Sequence, residues 1–289
     1  MTATSADLRA RAEEASAALP GLILSAERLA AMVAPGTHGL RRAGTGEDFW
    51  QYRPAGTGDT ARAIDWRRSA RSDTQFVRDR EAQSAQTVKL WVSTGKGMAY
   101  GGSQSRPTKA QRAQVLALAM AMVLLRGGEK VGLLGHPARQ GRFQAGFLAR
   151  SLASAPIADE DSDAPAPDDL RPNQRLIIIS DFLSDCDWVE PLLTRAAGLG
   201  VSGVLVQVLD PDEESFPFQG AVAFRSLAGQ QRHDSRDAAG LRDEYLMRLA
   251  RRRDWLRSHA ELAGWYFNHH GTDQAPAHLL GWLYQILGR

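Results

Sequence analysis

Hydrophobic and polar positions divide this chain into three stretches of different character. Residues 5–34 are dominated by Ala, Glu, Leu and Arg and read as helix, broken in the middle by Pro20-Gly21 and ended by Pro35-Gly36. Residues 36–80 carry Gly, Arg, Asp and Trp in no regular period and read as turns, with Thr74 to Arg80 as a short extended segment. From Thr87 onward, short apolar runs alternate with longer amphipathic ones. Thr87 to Ser93, Lys130 to Leu134, Arg175 to Ser180, Val201 to Leu209, Ala221 to Ser226 and Trp265 to Asn268 are expected strands. Pro107 to Arg126, Arg142 to Ser154, Asp187 to Leu199, Ala238 to Ala263 and Ala275 to Leu287 are expected helices. The run RLIIIS at 175–180 is apolar at nearly every position, the mark of a strand covered on both faces. Such alternation predicts an α/β fold with a doubly wound, mainly parallel sheet. The expected division is a helical and signature segment over 1–84 and an α/β domain over 85–289. In the long helix, Leu241, Tyr245, Leu249, Leu256 and Leu262 are expected on one face, with Arg248 and Arg251 to Arg253 in solvent.

Bulk properties narrow the function classes. A chain of 289 residues can bury one large core or two smaller ones. Its net charge of +2 draws it neither to nucleic acid nor to anionic lipid as a whole. A single cysteine, Cys186, rules out an internal disulfide and fits a reducing compartment. The first residues lack the basic and apolar regions of a secretory signal, and the longest apolar run, Val115 to Leu125, is far short of the roughly 20 residues that span a bilayer. A cytoplasmic protein without membrane insertion is expected. The acidic, proline-bearing stretch Ala158 to Asp169 is expected to be an exposed loop.

Candidate chemistry concentrates in two places. Thr57-Gly58-Asp59 reads as a turn that lets Asp59 meet Arg62 at i,i+3, and Asp65 with Arg68 repeats that spacing. Trp66 beside Ile64 is expected to anchor against a core, so the block reads as an ion-pair lattice, with a ligand site or nucleic-acid surface as the sharper alternatives. Ligands of open α/β sheets bind beyond the carboxyl ends of the strands, which directs attention to Ser93 and Asp181. No zinc spacing, phosphate loop, G-x-S-x-G or catalytic Cys with a placed His is present, and adjacent His269 and His270 would point to opposite sheet faces. These absences predict a protein that is not an enzyme.

Gly44, Gly46, Asp48, Phe49, Arg53, Gly58, Asp59, Arg62, Ile64, Asp65, Trp66, Ala70 and Arg71 together follow the signature of a bacterial family, domain of unknown function 58, which this chain resembles. Many members carry two membrane-spanning helices ahead of that block, and this chain resembles the short form without them. The resemblance implies a von Willebrand factor A-like domain in the second half. Its metal-ion-dependent adhesion site takes a D-x-S-x-S loop, a later Thr and an Asp after a central strand, a set suited to Mg²⁺. In Ser93-Thr94-Gly95-Lys96-Gly97-Met98 the leading carboxylate is replaced by Ser93 and the two serines by Gly95 and Gly97, while Met98 to Gly102 continue the family pattern. Asp181 remains. The expectation is a degenerate site that holds no metal or holds one weakly, with Lys96 either pointing into solvent, the preferred reading, or placing its ammonium opposite Asp181 in the metal's stead. The resemblance further implies a non-enzymatic adaptor or scaffold working with MoxR-type AAA+ ATPases and other von Willebrand factor A proteins in a chaperone-like or assembly role. It would bind through Ser93 to Gly102, Asp181 and the signature block. A nucleic-acid binder using the arginines between 41 and 80 is the alternative, against which the interspersed aspartates count; a metal-dependent hydrolase is a third, disfavoured by the missing ligands.

Overall fold

The computed structural model describes residues 19–33, 40–44, 48–56, 59–71, 74–156, 158, 163–227, 229 and 232–288. The expected helix is present as α1 (residues 19–31); the helix expected over residues 5–18 lies outside the described residues. The chain forms two compact units, one of residues 38–86 and one that joins residues 1–37 to 87–289. This differs from the expected division at residue 84. Leu22, Ala26, Leu29 and Ala30 of α1 are buried in the core of the α/β unit, so the helix belongs there and residues 38–86 are an insertion into that unit.

The insertion is not a run of turns. It is a three-stranded antiparallel sheet in which β1 (Leu40–Gly44) and β2 (Asp48–Pro54) flank β3 (Phe76–Ser84), with a register irregularity between Phe49 and Gln51. The extended segment expected over Thr74 to Arg80 falls largely within β3, whereas β1 and β2 escaped a reading based on apolar periodicity. Before β3 the chain makes one short helix, α2 (Trp66–Ser69), whose amino end is capped by Asp65.

In the larger unit, β4 (Thr87–Val92) leads through α3 (Lys109–Arg126) to β5 (Lys130–Leu133) and α4 (Arg142–Ala153). The chain continues with β6 (Arg175–Ser180), α5 (Val189–Gly198), β7 (Ser202–Leu209) and α6 (Pro211–Ser215). After a separate hairpin, β8 (Val222–Arg225) with β9 (Arg232–Ser235), come α7 (Arg242–Leu262), β10 (Tyr266–Gly271) and α8 (Pro276–Leu287). The main sheet runs β5–β4–β6–β7–β10 with every neighbouring pair parallel. This is the expected doubly wound α/β fold, and its strand order reverses between β4 and β6.

Alternation along β6 shows how both sheet faces are filled. Ile177 and Ile179 join the core under α1, α3, α4 and α8, whereas Leu176 and Ile178 join the core under α5 and α7. Two further placements differ from expectation. The Ala221 to Ser226 strand pairs only in the hairpin and not in the main sheet. Leu262 is 86% exposed while Leu249, Leu256 and Ala260 are buried, because six residues beyond Leu256 a helix has turned about 240° away from the buried stripe. Among the described residues no helix is long and apolar enough to cross a membrane.

Candidate functional site

The carboxyl ends of β4 and β6, where the strand order reverses, carry an unusual concentration of buried charge. Pro107 and Thr108 start α3, and Thr108 and Gln111 form a capping box that fixes its first turn. The first helical residue is Lys109, only 1% exposed, with Nζ 2.8 Å from Asp181 Oδ2 and 2.6 Å from Glu213 Oε1. Burial alone would discharge this ammonium, but the Asp181 and Glu213 carboxylates outweigh it and raise its pKa above the ordinary lysine value. Burial pushes the Glu213 carboxyl up, against the pull of Lys109, as expected where two acids share one cation.

Beside this triad, Asp210 ends β7 and caps α6 in a second capping box with Glu213. Its carboxylate is fully buried and accepts bonds from Arg106, Thr272 and the Asp212 N–H at 3.0–3.3 Å. Burial opposes ionisation, yet these donors hold the Asp210 carboxyl below the usual range. Gln207 donates to the Asp181 carbonyl at 2.8 Å and accepts from Arg253 at 2.7 Å, and Arg253 also pairs with Glu214. Arg253 is therefore committed to the site and not solvated, contrary to the helix-face expectation. Phe182, next to Asp181, is buried with φ of 50°, a left-handed backbone that a bulky side chain rarely adopts.

The loop after β4 is organised around a different acid. Ser93 Oγ donates to Asp163 Oδ1 at 2.5 Å, and the Thr94 N–H and Oγ1 donate to Asp163 Oδ2 at 2.7 and 2.8 Å. The Ala158 N–H bonds the Thr94 carbonyl at 2.9 Å. The acidic stretch is thus docked onto the sheet end through Ala158 and Asp163 and is not simply an exposed loop. Gly95 is buried with its N–H toward Ser93 Oγ, and the Gly97 carbonyl accepts from the Tyr100 N–H. Lys96 is partly exposed and makes no ion pair among the described residues. The ammonium facing Asp181 belongs to Lys109, so of the two readings of Lys96 the one that placed it opposite Asp181 does not hold.

Signature residues sit in the other unit. Arg53 clamps Asp59 with two bonds of 2.6 Å, and together with the Gly56 N–H it lowers the Asp59 carboxyl to about 2. Arg62, expected as the partner of Asp59, is exposed and makes no ion pair among the described residues. Asp65 caps α2 through the Arg68 N–H and accepts from Tyr52 Oη at 3.1 Å, while the Arg68 guanidinium lies 4.3 Å over the Tyr52 ring. Trp66 is 57% exposed and does not anchor a core; Arg67 and Arg71 beside it are exposed as well. Asp48 opens β2 opposite Glu81.

Lys109, Glu213, Asp210, Arg106 and Asp163 were not singled out from the sequence. Two of the signals were present. Asp210-Pro211-Asp212-Glu213 at a strand end is a capping-box sequence, and a Lys in the first turn of a helix opposes the helix dipole, an anomaly that asks for a local partner. Asp163 has no such signal among its acidic neighbours.

Fold and site define a doubly wound α/β protein whose sheet-end crevice is filled by its own ion pairs. Residues 51–254 match the family described as "Protein of unknown function DUF58", and the chain belongs to that family. It is 30% identical over 254 residues to uncharacterized proteins of Mycobacterium bovis and Mycobacterium tuberculosis, over 82% of this chain and 78% of each relative. Among solved structures it is similar to an aerotolerance-related membrane protein from Bacteroides fragilis, with a TM-score of 0.47 and 12% identity over 71% of this chain and 98% of that one. The conserved hypothetical protein BatB from Bacteroides thetaiotaomicron gives a TM-score of 0.44 and 13% identity over the same shares.

Proposed function

We propose that this protein is a non-enzymatic, metal-independent adaptor whose partner is a MoxR-type AAA+ ATPase. The partner class rests on the family resemblance. The observation that carries the adaptor reading is Trp66, held largely in solvent beside Arg62, Arg67 and Arg71, while Arg53 in the same unit is spent on Asp59. Tryptophan and arginine are the residues that dominate binding energy at protein interfaces. Metal independence is supported by the donor set at the crevice. Asp181 already bonds an ammonium, the Ser93 and Thr94 hydroxyls are turned to Asp163, and Gly95 and Gly97 offer no side-chain oxygen. Such a set does not suit Mg²⁺, which demands near-octahedral oxygen coordination.

The test is capture of the purified ATPase by the immobilised protein and by its Arg62→Glu and Trp66→Ala variants. Both side chains are exposed, so both variants should melt like the wild type and weaken capture by ~10-fold or more, about 1.4 kcal/mol. Undiminished capture in both would overturn the adaptor surface. Calorimetric titration with Mg²⁺ and Mn²⁺ accompanies it. Saturable heat in the wild type that vanishes in Asp181→Asn would overturn metal independence. The same exposed arginines leave nucleic acid as a second reading, which binding that falls steeply with salt would favour.

A further inference from the structure

We infer that the Ser93–Thr94 turn is a carboxylate receptor, that Asp163 is its resident occupant, and that an acidic side chain of a partner polypeptide can take its place. The inference rests on the reading of this crevice as a metal-free interaction site, and it names the chemistry that site would recognise.

The polarity of the turn follows from one bond. A backbone N–H can only donate, so the Thr94 amide at 2.7 Å from Asp163 Oδ2 makes this position one for a hydrogen-bond acceptor and not for a cation. Two hydroxyls turn their hydrogens the same way, Ser93 toward one carboxylate oxygen and Thr94 toward the other, so both oxygens of a single carboxylate are read at once. Ser93 is only 5% exposed, which makes it a fixed part of the receptor and not a chance surface contact. No ammonium or guanidinium takes part in these bonds. A hydrogen-bonding receptor of this kind selects by geometry and can exchange one carboxylate for another.

Two further observations point to an external ligand. The turn lies at the strand-order reversal between β4 and β6, where open α/β sheets place their ligands. A cavity of about 70 Å³ adjoins it, walled mostly by apolar side chains, Val92, Met98, Ala110 and Leu152 among them, with Gln114 as a polar side chain in the wall beside Ser93 to Gly95. Its apolar walls suit a small aliphatic group, so the fitting ligand is an acidic residue followed by a small apolar one. Asp163 acts as an intramolecular competitor. A tethered group presents an effective concentration in the ~mM range, and a receptor free for only a small fraction of the time binds outside ligands more weakly by that fraction.

The experiment follows the Thr94 and Gly95 amides by nitrogen–proton NMR in the full chain. The probes are acetyl-Asp-Val-amide, acetyl-Asn-Val-amide and sodium acetate, added to wild type, Asp163→Ala and Asp163→Asn. The expected result is saturable shifts at both amides with the Asp peptide in the two variants, at an apparent affinity ~10-fold or more above wild type. The Asn peptide should give none, acetate should bind more weakly than the Asp peptide, and adding Thr94→Val to either variant should abolish the response. Absence of saturable shifts in both folded variants, or an equal response to the Asn peptide, overturns the receptor. Acetate binding as tightly as the peptide overturns the role given to the cavity. Loss of fold in both variants would make Asp163 a structural pin and overturn the exchange. Silence in this experiment strikes the carboxylate receptor alone, whereas Mg²⁺ binding by the wild type strikes the metal-free reading beneath it.

Discussion

Two buried lysines show how local partners decide the state of the same side chain. Lys89 on β4 reaches the carbonyls of Leu133 and His136, and burial lowers its pKa because no carboxylate bonds it. Lys109, buried more deeply, is raised by Asp181 and Glu213. Replacing Lys109 by Met removes the shared cation and leaves two acids facing each other. The expected cost is about 3–5 kcal/mol at neutral pH, read from urea unfolding, with part recovered in acid as one carboxyl takes up a proton. His270 offers a second residue-scale prediction. Its ring is buried with Nε2 unpartnered, and burial followed by the nearby Arg112 charge lowers its pKa from 6.5 to about 4. Between those values the unfolded chain binds a proton that the folded protein does not. Stability from this group is therefore complete above pH 6.5 and falls as the pH drops toward 4. His270→Gln should flatten the dependence of the urea midpoint on pH over that window, and an unchanged slope would assign it to other groups. The opposite facing of His269 and His270 was legible in the sequence, since alternation in a strand requires it, but the unpartnered Nε2 of His270 is visible only once the chain is folded around it.

At the scale of elements, the chain was legible where apolar period and end signals agree. Arg175–Ser180 emerges as expected because five of its six residues are buried, and α3 begins at the Pro107-Thr108 signal. β1 and β2 were missed for the converse reason: Leu40–Gly44 is short and centred on two arginines, and the aromatics of Asp48–Pro54 fall at Phe49, Trp50 and Tyr52 without strict alternation, so neither carries a clear apolar period. The candidate site divides the same way. Ser93 and Asp181 could be found as strand ends, whereas Lys109, Glu213 and Asp163 meet them only through the winding of three separate connections. Packing between elements also explains Gly203 near the start of β7. A Cβ there would lie 2.1 Å from the Leu176 carbonyl on β6 and 2.9 Å from the Trp265 ring. Trp265 itself is held by a bond from its indole N–H to the Val201 carbonyl. Gly203→Ala should therefore lower stability by ~1–3 kcal/mol or more through forced separation of β6 from β7, measured by thermal unfolding. A variant as stable as the wild type would mean that the two strands yield easily.

For the molecule as a whole, the alternation of short apolar and longer amphipathic runs foretold an α/β protein but not its interruption. The expected boundary near residue 84 marked the right change of pattern, yet the insertion separates α1 in sequence from the rest of the unit whose core it joins. What assigns α1 to that unit is its set of apolar contacts, and these are invisible until the sheet exists. The placement carries a consequence for synthesis. Leu22, Leu29 and their neighbours leave the ribosome early, but they share a core with α3 and with Leu279, Leu280 and Leu283 of α8, which emerge much later. Until then, the apolar stripe of α1 has nowhere to hide, and the antiparallel sheet of residues 38–86 can fold ahead of it on local contacts alone. The nascent chain thus passes through a stage in which an ordered insertion trails an uncovered helix, a state that invites a chaperone or rewards slow handling of the first helix until the last one arrives.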